Sequence, residues 1–255
     1  MKKTKALLVI GGVSGIGLAV AKKFLQEQTP VIITSTDYDL ANKRAQELTT
    51  KYNTTCIGVK YQPLSAKQEC ADMFATILDK GYVVDKLLCA EELTLSNQDS
   101  ITVDLYEWEK VIKANVTGAF IPTRLMTKQL AKQGESGSIV LLGSTLDNSA
   151  VPNKSAYISS KGGVSSMTRA LAIDYSKHNV RVNCVSVGTM QNQNFNSLDS
   201  ASKQRIKSLM PLGNLVSEQQ VANAVWFLLS NLSSGITGSN LVVDGGLDCL
   251  ITGAF

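Results

Sequence analysis

The 255-residue chain predicts an α/β fold: a doubly wound parallel sheet of about seven strands with helices on both faces. Three observations lead there. Short apolar runs alternate with helix-length segments along the whole chain, the rhythm of strand–helix–strand units. Apolar residues make up 44% and charged residues 18%, the composition of a globular chain with one large core. A glycine cluster, GGVSGIG at 11–17, joins the first strand-like run to the first helix-like one.

Taken in order, strand 7–10 leads to helix 16–28, strand 31–34 to helix 40–52 and strand 55–60 to helix 67–80. A strand at 86–90, a long helix from 105 towards 133 and a strand at 138–142 follow. A helix at 156–178, a strand at 181–187, a helix at 218–230 and a strand at 240–244 complete the series. Ser65-x-x-Gln68, Asp104-x-x-Glu107 and Ser217-x-x-Gln220 each put an acceptor at the N-cap and a reaching side chain three residues on, which marks three helix starts. The stretch after Gly188 is polar and shows no period until 201–209, so 189–215 reads as a substrate lid within one domain spanning 1–255.

Charge and composition exclude several classes. A net charge of +4 with no basic stripe argues against a nucleic-acid partner. Cys56, Cys70, Cys89, Cys184 and Cys249 are odd in number and lack metal-ligand spacing, so they read as reduced, mostly buried thiols with no metal, in a cytoplasmic protein. The one histidine, His178, leaves little for a Ser-His-Asp hydrolase and reads better as a helix C-terminal residue. The stretch KALLVIGGVSGIGLAVA, after a basic start, has the look of a secretory signal. Its four glycines weaken that reading, and cutting it off would remove the first strand; no membrane partner is expected.

If 7–10 is a strand and 16–28 a helix, Gly11, Gly12, Gly15 and Gly17 form the turn between them. A dinucleotide diphosphate seated on such a helix N-terminus needs a tight turn, close backbone approach and a helix packed near the sheet. A second cluster, Tyr157-Ile-Ser-Ser-Lys161, places a phenol and an ammonium one helical turn apart, where the cation favours the phenolate and brings it nearer to acid/base use.

With GSIVLLGS ending at Ser144 and WEKVIKANVTGAF placing Asn115 in the preceding helix, the chain resembles the short-chain dehydrogenase/reductases of the main single-domain group. IGGVSGIG, NVTGAF, SAYISSKGGV, NVRVNCVSVG and ITGSNLVVDGG carry the likeness, from about Lys5 to Gly246. The resemblance implies a Rossmann-like fold and reversible hydride transfer between NAD(P) and a secondary alcohol or ketone, a small-molecule substrate. Tyr157 would be the general acid/base, Lys161 would lower its pKa and bind the nicotinamide ribose, and Ser144 would hold the substrate oxygen. Asn115 would hold a water linking Lys161 to solvent. Gly11, Gly12, Ser14, Gly15, Ile16 and Gly17 would border the cofactor phosphates, and Gly188 would also bind the cofactor.

The sequence also departs from the family. After DKLL the chain reads Cys89-Ala90-Glu91-Glu92, where the family usually has Asn-Asn-Ala-Gly. A carboxylate facing a phosphate at about 4 Å costs on the order of 4 kcal/mol at an effective dielectric of about 20. Turning both glutamates outward would avoid much of that. Ile10 replaces a usual Thr, Gln62 or Pro63 falls where an adenine-contacting Asp is expected, Val187-Gly188 replaces Pro-Gly, and Asn192 stands where a nicotinamide-contacting Thr is common. The acidic residue that selects NAD aligns with Ser35; Ser35 and Thr36 could accommodate a 2′-phosphate, while Asp37 could serve NAD or cap the next helix. NADP is preferred over NAD.

The leading reading is an NAD(P)-dependent oxidoreductase. A non-catalytic binding or structural subunit of the same fold is the alternative, motivated by Cys89, Ala90, Glu91 and Glu92. A nucleotide-sugar epimerase or dehydratase shares Tyr-x-x-x-Lys, but the length and glycine spacing disfavour it. Small residues at Gly162, Gly163, Ser165, Ser166 and Ala170 permit close helix packing, which with the resemblance predicts a homo-oligomer, a dimer or tetramer; tight packing on the sheet explains them equally. The substrate pocket would be set by 146–155 and the lid.

Overall fold

Alternation along the first strand sets the architecture. In β1 (Thr4–Ile10), Ala6, Leu8 and Ile10 enter one apolar layer while Leu7 and Val9 enter the other, all of them buried. A strand apolar on both faces has to lie inside a sheet covered on both sides. The computed structural model describes residues 3–64, 67–94, 97–191 and 193–250.

The further strands are β2 (Val31–Ser35), β3 (Cys56–Lys60), β4 (Tyr82–Cys89), β5 (Gly137–Ser144), β6 (Val180–Val187) and β7 (Asn240–Val243). They form one sheet in the order β3-β2-β1-β4-β5-β6-β7, every pairing parallel. The helices are α1 (Gly15–Gln26), α2 (Tyr38–Tyr52), α3 (Lys67–Asp79), α4 (Leu105–Ile112), α5 (Gly118–Gln133), α6 (Ser155–Ser176), α7 (Gln193–Asn196), α8 (Ser200–Ser208) and α9 (Glu218–Leu229). One core layer packs α1, α2 and α9 on the sheet, the other α3, α5 and α6.

The predicted α/β sheet of seven strands is therefore present, and β1 lies inside it, paired with β2 and β4. Strand order reverses between β1 and β4, so their C-terminal ends diverge and open a crevice there. Asp104 accepts from Glu107 N–H at 3.1 Å, and Ser217 with Gln220 makes the full reciprocal box, as predicted; Ser65 lies outside the described residues.

The helix expected from 105 towards 133 is present, with one widened turn inside it. A π-helical turn, Lys113–Thr117, separates α4 from α5. Pro122, inside α5, has no N–H for the carbonyl of Gly118. The Tyr61 hydroxyl takes over, donating to Gly118 O at 3.3 Å.

Among the described residues no helix is long and apolar enough to cross a membrane, and no group of three or more His, Cys, Asp or Glu could hold a metal ion. All five cysteines are free, four of them buried and Cys249 exposed.

Candidate active site

The glycine turn sits at the β1 side of the crevice. Gly11 has φ +80° and its N–H donates to Thr34 Oγ1 at 3.1 Å, while Gly12 N–H donates to Thr34 O at 3.2 Å. Gly12 is buried against Ile33, and a Cβ on Gly17 would overlap the carbonyl oxygen of Gly11, so α1 can begin this close to β1 only with glycine there. Gly15 differs from both: with φ +53° it faces open space, the nearest atom to an added Cβ being Glu218 Oε1 at 3.9 Å. The unpaired N–H groups of the first turn of α1 thus face the crevice with their partial positive charge.

The reaction end lies across β4 and β5. Ser144 closes β5, buried, and its Oγ accepts from Leu146 N–H at 3.2 Å. Tyr157 and Lys161 come from the first two turns of α6, with the Lys161 Nζ 5.4 Å from the centre of the Tyr157 ring. Lys161 is nearly sealed, its side chain 3% exposed, and donates to the carbonyl of Leu142 at 3.0 Å. Asn115, in the π-turn, clamps Leu93: its Oδ1 accepts from Leu93 N–H at 2.7 Å, and its Nδ2 donates to Leu93 O and to Ser160 Oγ, each at 2.9 Å. Its side chain thus fixes the chain that follows β4.

That chain carries the two glutamates, and neither turns away from the site. Glu92 Oε2 lies 2.7 Å from Lys161 Nζ and accepts from the Tyr157 hydroxyl at 3.2 Å, with 45% of its side chain still exposed to the crevice. Glu91 Oε2 lies 2.7 Å from where a Cβ of Gly11 would stand. The outward-turned alternative is thus corrected: Glu91 lies against the glycine turn and Glu92 on the catalytic pair.

Electrostatics follow from this placement. Burial raises the Glu92 pKa, but the Lys161 charge and the hydrogen bonds from Lys161 and Tyr157 outweigh it and hold the carboxyl below its ordinary value. Burial works to lower Lys161, and is outweighed by Glu92 and Tyr157, so the ammonium is held more firmly. Glu91, desolvated beside Glu92, is pushed up. The Tyr157 phenol is also pushed up: burial and Glu92 outweigh the lowering by Lys161 and by the hydrogen bond with Ser144. Lys161 acts in the expected direction, yet the net shift opposes the expected activation.

A cleft of about 1010 Å³ joins the two ends, lined by Gly11, Ser14, Gly15, Ile16 and Gly17 on one side and Ser144, Tyr157 and Gly188 on the other. Gly12, Asn115 and Lys161 stand behind this wall. Gly188 packs on Asp244, its N–H donating to Val243 O at 3.0 Å. Ser35 is buried and accepts from Asp37 N–H at 3.1 Å; Thr36 and Asp37 are exposed, and the Asp37 carboxylate caps α2, accepting from Asp39 and Leu40. These three lie outside the cleft lining. Pro63 packs on Gly118, Gln62 is exposed, and Asn192 falls outside the described residues. His178 follows α6 just before β6, at the edge of the sheet opposite the cleft. The stretch 189–215 supplies Phe195, Leu198 and Ile206 to the lining.

Sequence reasoning missed Thr34, Ser160 and Leu93, which position the named residues, and Glu218 and Asp248, which make the cleft wall acidic. Only a positional comparison across β-strand ends could have signalled them. For a dinucleotide, the glycine turn and open end of α1 fit a diphosphate. At the reaction end Glu92 holds Lys161, the residue that the resemblance assigns to the nicotinamide ribose.

The family profile described as enoyl-(acyl carrier protein) reductase matches residues 11–248. A 3-oxoacyl-[acyl-carrier-protein] reductase of Aquifex aeolicus is 33% identical over 243 residues, 95% of this chain and 97% of its own. A 2-(S)-hydroxypropyl-CoM dehydrogenase of Xanthobacter autotrophicus is 29% identical over 257 residues, 97% of this chain and 98% of its own. A crystal structure from Agrobacterium tumefaciens, provisionally assigned as a gluconate dehydrogenase, superposes with a TM-score of 0.91 at 25% identity, covering 98% of each chain.

Proposed function

This chain belongs to the short-chain dehydrogenase/reductase family of NAD(P)-dependent oxidoreductases, and from that premise we propose that it transfers a hydride between NAD(P) and a secondary alcohol or ketone. The observation that carries the reading is the meeting of Ser144 and Tyr157 with the glycine turn in one cleft. The nicotinamide, when bound, supplies or accepts the hydride. Tyr157 gives its proton to the carbonyl oxygen or takes one from the alcohol, Ser144 holds that oxygen, and Lys161 holds the ribose and counters the burial that keeps the phenol protonated. Asn115 keeps the β4 exit in register with α6. Gly11, Ser14, Gly15, Ile16 and Gly17 border the phosphates.

NADP is the preferred cofactor, since Ser35 and Thr36 bring no carboxylate to the end of β2 and Asp37 is engaged as a cap. The unit spans 1–255 with 189–215 as its substrate lid. The free cysteines support a reducing, cytoplasmic setting, and the small residues of α6 support a dimer or tetramer.

A second reading, a non-catalytic binding subunit, is favoured by one observation, the Glu92–Lys161 pair at 2.7 Å. Titration with NADH and NADPH followed by a screen of small ketones and alcohols separates the two. The enzyme reading expects binding and turnover, with Tyr157→Phe lowering kcat by about 10²–10⁴-fold while cofactor binding persists. No binding and no turnover in the wild type would leave the second reading.

A further inference from the structure

We infer that Glu92 is the specificity-determining residue of the cleft: an internal ligand of Lys161 and Tyr157 that the nicotinamide ribose must displace, so that charge at position 92 selects against whole dinucleotides and not against the adenosine diphosphate fragment. The inference rests on the dinucleotide-enzyme reading of the same site.

Three features carry it. Glu92 holds both members of the pair at once, 2.7 Å from Lys161 Nζ and 3.2 Å from the Tyr157 hydroxyl. Among the described residues Lys161 is otherwise held by Leu142 O at 3.0 Å, so a ribose hydroxyl reaching the ammonium replaces a carboxylate with a neutral acceptor. The backbone beneath cannot drift to relieve the conflict. Ala90 N–H donates to Ile10 O at 2.9 Å, and Asn115 grips both sides of the Leu93 peptide.

What can move is the side chain of Glu92, which is 45% exposed and borders the cleft. Displacement is therefore a rotation about side-chain bonds that leaves a carboxylate close to the incoming anion. At the other end, Gly15 and the first turn of α1 remain open. A ligand that stops at the diphosphate passes Glu91 and Glu218 but does not have to break the pair of Glu92 and Lys161.

The test compares wild type, Glu92→Gln and Glu92→Gly by titration calorimetry with NADH, NADPH and ADP. Thermal melts confirm folding, and Glu135→Gln, which removes the exposed pair of Lys5 and Glu135, serves as a control for loss of one carboxylate. The expected result is that both Glu92 variants bind the better of NADH and NADPH about tenfold more tightly or more, with ADP affinity changed by less than about twofold and Glu135→Gln like wild type. Equal dinucleotide affinity in all proteins overturns the inference and leaves the enzyme reading standing. An equal gain for ADP and dinucleotide also overturns it, since the effect is then general electrostatics. No dinucleotide binding by any protein overturns both. Should Glu92→Gly fail to fold, Glu92→Gln, which keeps size and hydrogen bonding, decides alone.

Discussion

At the diphosphate end of the cleft, position is set by backbone: Gly11, Gly12 and Gly17 lie where a Cβ would strike Glu91, Ile33 or the Gly11 carbonyl. At the reaction end it is set by side-chain charge, with Glu92, Lys161 and Tyr157 holding one another across 2.7 and 3.2 Å. The first end tolerates almost no change of residue and needs no particular charge. The second tolerates change of shape but depends on charge, because a nearly sealed ammonium must keep a partner. A site of this kind can lose or regain ligand affinity at one residue while the fold is untouched.

The sharpest way to break that contrast is Gly17→Ala. The added methyl meets backbone, which cannot yield, so unfolding stability should fall by about 3 kcal/mol or more; a urea transition within about 1 kcal/mol of wild type would show that the turn has room. Next comes Asn115→Ala, which strips partners from the Leu93 peptide and from Ser160. A loss of about 1–3 kcal/mol is expected, together with faster hydrogen exchange of the Leu93 amide; unchanged exchange would mean that the clamp does not hold the β4 exit.

The smallest effect concerns Glu91, whose carboxyl is pushed up by burial and by Glu92. Its folded form keeps a proton longer than the unfolded chain, so its contribution to stability declines as pH rises above the ordinary carboxylate range. Glu91→Gln should therefore melt slightly higher than wild type near neutral pH, by about a degree because solvent screens this exposed carboxylate, and show no gain in acid. Glu92, held low by Lys161, has the opposite sign: its stabilisation is present above the ordinary range and is lost as pH falls through its lowered pKa. A melt of Glu91→Gln below wild type at neutral pH would reverse the assignment of the two carboxylates.

The two ends also differ in how far they could be read from residues alone. Strand and helix periods gave the α/β sheet, and the glycine turn was readable because only glycine meets its steric demands, which do not depend on distant chain. Tyr157 and Lys161 were readable as a pair because helical spacing alone puts them on one face. The direction of Glu91 and Glu92 was not, since it depends on a lysine about seventy residues away and on a clamp from another helix. The same holds for Asn115: its position in a helix was legible, while its grip on Leu93 requires knowing that β4 and α6 flank the π-turn. Asp37 had two readings in sequence, and its local geometry shows the cap.

The π-turn of Lys113–Thr117 has one more consequence, for how this region can change over generations of sequence. An α-helix advances about 100° per residue, so the additional residue of a π-turn offsets the phase of whatever lies on either side of it. Leu105 and Tyr106, 74% and 72% exposed on α4, are thereby uncoupled from the buried face of α5. Deleting one residue within the turn would rotate the outward display of α4 while α5 kept its seat on the sheet. Because Val111 of α4 is fully buried, such a rotation would also be felt in the core, with Asn115 at the hinge as the residue that would register it.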